Sequence, residues 1–176
     1  MDDRAVPTDP LKPRIHPTAF VAPGADVLGD VRLGEESSVW YQAVLRADLE
    51  PITVGARTNI QDLTMVHVDE GVPCTIGANV TVGHRVILHG CTIEDDCLIG
   101  MGSILLNNVK VGSGSVVAAG AVVTEGTVIP AGSLVVGVPA RVVREALRSR
   151  MRVGVEHYVN LARRHRAGEF RPTTAL

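Results

Sequence analysis

An aliphatic residue recurs every six positions through most of this chain, and few folds accommodate that interval. The series runs Ile15, Val21, Val27, Leu33, Val39 and Leu45. It resumes after a short insertion at Val54, Ile60 and Val66, and after another at Ile76, Val82 and Leu88. One residue is then dropped, and the series continues as Ile93, Ile99, Leu105, Val111, Val117, Val123, Ile129 and Val135. Four positions beyond most of these stands a small or modest residue, among them Ala19, Ala25, Ser37, Ala43, Thr58, Thr64, Cys97, Ser103 and Ala121. Such a period fits neither an amphipathic helix nor a hairpin meander. It fits a prism of short parallel strands, in which three hexapeptides complete a coil and coils stack at roughly 4.8 Å. The aliphatics fill the axis and the small residues turn the corners. No coil buries its apolar edge alone, so stacking supplies the stability. The expected fold class is all-β, a parallel β-helix of hexapeptide repeats.

The composition agrees: hydrophobic residues make up 45% of the chain but aromatics only 3%, so the interior must be aliphatic. Residues 1–14 hold Pro7, Pro10 and Pro13 without the period and read as an extended arm. The β-helix is expected over 15–140, with insertions at Leu49–Thr53 and Val68–Thr75 bulging from corners as short loops. Beyond Pro139 the spacing changes: Val143, Leu147, Met151, Val155, Val159 and Ala162 form a helical stripe, placing a helix over 141–166 and a tail over 167–176. Arg144, Arg148, Arg152 and Arg163 lie on its other face, which reads as solvated or intersubunit rather than nucleic-acid binding, with no aromatics interleaved.

A net charge of −2 supplies no field to recruit nucleic acid or an anionic membrane. No apolar run approaches the ~20 residues that span a bilayer, and the first residues lack the apolar stretch of a secretory signal. The expected compartment is the cytoplasm. Cys74, Cys91 and Cys97 are odd in number and have no CxxC spacing, so they read as small buried fillers.

The register also exposes a site. Leu45, Val66 and Leu88 each begin the third side of successive coils, so Arg46, His67 and His89, which follow them, stack in one outward column. Two imidazoles so placed can grip one metal. His84 follows Val82 by two and lies on the second side, directly above Asp62, which follows Ile60 by two. A cyclic trimer, with the second side of one subunit facing the third side of the next, is the simplest way to bring His84 to His67 and His89. It would give three sites of three histidines, each with a position left for water and flanked by Arg46, Asp48, Gln61 and Asp62. His16, His157 and His165 lie outside the columns and read as surface or helix-face residues.

VLRAD (44–48), TNIQD (58–62), MVHV (65–68), VTVGHRVILHGC (80–91), LIGMGSILLNNVKVG (98–112) and GVPAR (137–141) together resemble the γ-class carbonic anhydrase family. The resemblance implies a left-handed β-helix and a homotrimer with one metal per interface. The metal would be zinc, or iron or cobalt as Fe2+ or Co2+, held by His67 and His89 of one chain and His84 of its neighbour. It further implies that Gln61 orients the nucleophile or substrate, that Arg46 and Asp62 pair across the interface with Asp48 in support, and that Tyr158 and Asn160 approach the site from the helix. Two departures stand out: Leu49 replaces a glutamate after the RxD aspartate, and the acidic loop after the first ligand is reduced to Asp69-Glu70-Gly71-Val72-Pro73. Within that loop Glu70 is the candidate proton relay.

The expected activity is reversible hydration of CO2 to bicarbonate by a metal-bound hydroxide. The alternatives are a metal-dependent thioesterase acting on acyl-coenzyme A, a hexapeptide acyltransferase using one histidine as base, and a low-activity or non-catalytic assembly subunit.

Overall fold

The computed structural model describes residues 11–146 and 151–170, without the side chains of 151–153. Most of the expected arm, the tail beyond 170, and Leu147, Arg148 and the side chains of Met151 and Arg152 fall outside the described residues.

Short parallel strands stack on three faces. The second face is an eight-stranded sheet built from β2 (Phe20–Val21), β4 (Ser38–Val39), β6 (Asn59–Ile60), β9 (Thr81–Val82), β12 (Leu98–Ile99), β15 (Val116–Val117) and β18 (Ser133–Gly137), ending in β19 (Ala140–Glu145). The third face carries β7 (Met65–His67), β10 (Ile87–His89), β13 (Ile104–Leu105) and β16 (Val122–Val123). The first carries β1 (Arg14–Ile15), β8 (Cys74–Ile76), β11 (Thr92–Ile93), β14 (Lys110–Val111) and β17 (Val128–Ile129). Two longer strands, β3 (Asp26–Leu33) and β5 (Val44–Val54), pass round the corner and join these two faces into one sheet.

The axis is the aliphatic series itself. From Val39 through Val135 every member is at most 2% exposed. Truncating one of the larger side chains to alanine costs about 2–5 kcal/mol, because the stacked neighbours cannot collapse into the gap. The corner residues are small and often carry hydroxyls that satisfy buried carbonyls: Thr58 Oγ1 donates to the Gly77 carbonyl at 2.7 Å and Ser103 Oγ to that of Gly100 at 2.8 Å. The dropped residue between Leu88 and Ile93 is absorbed at Gly90, whose φ of +53° tightens that corner.

The insertion over Leu49–Thr53 bulges as expected but stays within β5 instead of leaving it as a separate loop: Asp48, Leu49, Glu50 and Pro51 stand opposite Asp30 alone, and Ile52 returns to the core between Val31 and Cys74 on neighbouring coils. One expectation is corrected: the helix does not begin at 141. Ala140–Glu145 turns back as an antiparallel strand on β18, pairing Val135 with Val142 and Gly137 with Ala140. The last coil leaves a row of unpaired backbone groups, and satisfying it outweighs the helical spacing of Val143 with Leu147.

The helix is α1 (Met151–Arg166), which lies along the second face near β2, β4, β6 and β9 and buries Val155, Val159 and Ala162. Almost all the aromatics collect beneath it: Trp40 lies 5.2 Å from Phe20 and meets Tyr158 edge-on at 5.3 Å, and Tyr41 Oη is 3.0 Å from His165 Nδ1. Glu36 clamps the helix by bonding Arg163 and, at 3.1 Å, Arg57, which also holds Glu156. The arginine face is therefore partly spent on ion pairs within the chain.

Candidate metal centre

The strand register sets His67 opposite Arg46 on one side and His89 on the other. His67 Nδ1 and His89 Nε2 stand 3.1 Å apart. The protons on these rings follow from their other partners, because an ionised carboxylate can only accept a hydrogen bond. His67 Nε2 lies 3.1 Å from Asp48 Oδ1 and therefore carries a proton, which in the neutral ring leaves a lone pair on Nδ1. Partial burial works to raise the Asp48 carboxyl, but hydrogen bonds from His67, its own backbone and Arg46 outweigh it and hold the group below the usual aspartate range.

His89 is fixed by a longer chain of contacts. Asn107 Nδ2 donates to Asp69 Oδ2 at 3.2 Å, so its carbonyl oxygen turns to His89 Nδ1, 2.6 Å away. His89 Nδ1 then carries the proton and Nε2 the lone pair. Two lone pairs thus face each other at a separation that two metal–nitrogen bonds of about 2.1 Å can span. With nothing between them they repel; with a cation between them they are ligands. This donor chemistry fits a divalent metal.

His84 belongs to the neighbouring face. Its Nδ1 bonds Asp62 Oδ2 at 2.9 Å, so its Nε2 is also left as an acceptor. Each of the three imidazoles is therefore backed by an acceptor that fixes the tautomer a ligand needs. Among the described residues, no three His, Cys, Asp or Glu side chains of one chain gather closely enough to hold an ion, and His67 with His89 provide two donors.

The remaining expected residues divide. Gln61 is buried, and its Nε2 donates to Asn59 Oδ1 at 3.0 Å, which leaves Oε1 for a ligand. It shares with His84, Leu98, Met101 and Ala119 a groove of about 400 Å³ on the second face. Within the chain Arg46 bonds Asp48 and Asp62 bonds His84. Burial, and then the nearby Asp62 charge, push the Tyr158 hydroxyl up. Asn160 stands on the exposed side of α1, where it accepts from Arg163 Nη1 at 3.5 Å. Glu70 is exposed at the tip of a tight turn closed by Asp69 and Val72. Sequence reasoning missed Asn107 and Asp69, although Asn107 follows Leu105 by two and so shares a column position with Gly90.

Fold and site together define a hexapeptide-repeat β-helix that brings two histidine nitrogens together on its third face. Residues 73–107 and 90–125 match the model of the bacterial transferase hexapeptide (six repeats). A carbonic anhydrase of Geobacillus kaustophilus is 51% identical over 133 residues, which are 76% of this chain and 73% of the relative. Two mitochondrial γ carbonic anhydrases of Arabidopsis thaliana are 44% and 43% identical over 87% and 93% of the chain, which spans 58% and 63% of their length. The solved structure of a hexapeptide transferase family protein from Anaplasma phagocytophilum superposes with a TM-score of 0.84 at 39% identity, covering 87% of this chain and 92% of that one. The chain belongs to the γ-class carbonic anhydrase family, a family whose activity implies a catalytic metal.

Proposed function

We propose that this protein interconverts CO2 and bicarbonate at metal sites shared between the subunits of a homotrimer. The observation that carries the reading is the 3.1 Å approach of His67 Nδ1 and His89 Nε2, each ring having its other nitrogen against an oxygen acceptor. A single histidine acting as an acyltransferase base has no use for that convergence. His84 completes the donor set from the adjacent subunit. The faces that would meet are both apolar: Met65, Ile87 and Leu106 are exposed on or beside the third-face strands, and Leu98, Met101 and Val116 line the groove on the second.

A divalent metal, zinc in the first instance and Fe2+ or Co2+ as alternatives, supplies Lewis acidity that makes water nucleophilic near neutral pH. The chain does the rest. Gln61 Oε1 accepts a hydrogen bond from the attacking water and so aims its oxygen at the CO2 carbon. Asp48 and Asp62 hold the rings of His67 and His84 in the tautomers that donate lone pairs. Arg46 of one subunit faces Asp62 of the next, while Tyr158 and Asn160 border the site from the helix. Glu70 passes protons to solvent. The three free, buried cysteines suit a reducing compartment, and we place the protein in the cytoplasm. No described helix is long and apolar enough to cross a membrane.

Stopped-flow CO2 hydration by metal-replete protein tests the reading. Turnover well above that of His67→Ala is expected; equal rates would refute it.

A further inference from the structure

Gly90, immediately after His89, has no room for a side chain. A Cβ there would lie 2.6 Å from Asn107 Oδ1 and 2.6 Å from Val72 Cγ1. The backbone also closes around the same point: Gly90 N donates to the His67 carbonyl at 3.0 Å, and Asn108 N donates to the Gly90 carbonyl at 2.8 Å. The glycine lets Asn107, from the next coil, slide beneath the His89 ring and meet Nδ1 at 2.6 Å. The far side of the same amide is held by Asp69 in the shortened loop. That carboxylate is itself oriented, because its other oxygen accepts from the Glu70 backbone at 2.9 Å.

We infer that Asn107 is a positioning residue for the metal site, fixing the tautomer and the ring plane of His89, and that Asp69 fixes Asn107. The inference rests on His89 serving as a ligand, and it adds a component none of the expected site residues provides. An amide has two faces and can donate or accept. If it flipped, its Nδ2 would meet His89 Nδ1, drive the proton to Nε2 and remove the lone pair that faces His67. The carboxylate of Asp69 forbids the flip, since it would then face a carbonyl oxygen across 3.2 Å. The loop therefore reaches the metal site through one side chain. Its turn, closed by Asp69 and Val72, sets the height at which Asp69 meets Asn107.

Two measurements on the full-length protein test this. Long-range 1H–15N correlation spectra of the metal-free protein read each imidazole tautomer directly. His89 is expected as the Nδ1–H form in the native protein and as a mixture in Asn107→Leu, while His84, backed by Asp62, is unchanged. Competition with a chelator for Co2+ is expected to show a loss of about 10- to 100-fold in affinity for Asn107→Leu. Exchanging the pair, Asn107→Asp with Asp69→Asn, restores the donor and acceptor order and is expected to recover most of it. Should Asn107→Leu fail to fold, Asn107→Ala is read in the same way. Native tautomer and native affinity in the variant would overturn the inference. If the native protein takes up no Co2+ but the tautomer still shifts in the variant, the positioning role stands and the metal reading falls.

Discussion

Mixing two inactive variants separates a shared site from one contained in a single chain. His84 lies on the second face, whereas His67 and His89 lie on the third, where their nitrogens are 3.1 Å apart. His84→Ala removes the donor from one face, and His67→Ala removes one from the other. Each variant alone should lose metal and CO2 hydration. Co-expressed in equal amounts with different tags, they assemble at random into trimers. A site then works only where a chain with intact His84 abuts a chain with intact His67. Each condition is met about half the time, so about one quarter of native metal content and activity returns. Any trimer holding both kinds of chain has one competent interface, so material purified through both tags carries about one third of the native value. Native mass spectrometry confirms the mixing, and metal analysis with stopped-flow hydration reads the recovery. No recovery in demonstrably mixed trimers would refute the shared site.

Acid should release the helix first. The hydrogen bond from Arg163 holds Glu36 below the usual glutamate range against its partial burial, with Arg57 adding to the effect. A depressed folded-state pKa contributes stability above the ordinary value of about 4.3, and that contribution is lost as pH falls below it. Trp40 fluorescence, sensitive to the Tyr158 contact, should change before the β-sheet circular dichroism; simultaneous loss would contradict this order. Replacing Gly90 by alanine forces a side chain into contacts of 2.6 Å at φ +53° and should cost about 1–3 kcal/mol in chemical denaturation. An unchanged midpoint would show that the corner has slack. The three cysteines should resist a thiol reagent at pH 8 until the protein is unfolded, since all are buried and burial pushes Cys97 up to about 11.

Much of this was legible beforehand, because a period of six converts position in the chain into position on the prism. The columns of Arg46 with His67 and His89, and of Asp62 with His84, follow from counting alone and match the observed strand pairing. What counting does not supply is how far a side chain reaches or where the main chain runs out of partners. Asn107 sits two coils from His67, and its role depends on a corner tightened by one missing residue. The strand over Ala140–Glu145 reads as helix because Val143 and Leu147 are four apart, yet an unpaired backbone edge decided the matter. Leu49–Thr53 is the insertion that the broken period marks, but counting does not show that the strand continues through it or that Ile52 fills the core at a position the period does not number.

The returning strand β19 bears on how the proposed trimer would join. A stack of flat coils ends in a template for more coils, and an open end invites another molecule to continue the pile indefinitely. By laying its own chain antiparallel along β18, the protein covers the second-face edge of that end, while β16 and β17 remain the outermost strands of the other sheet. The proposed trimer would use the apolar sides instead, where rotation about an axis closes after a fixed number of copies and does not grow into a fibre.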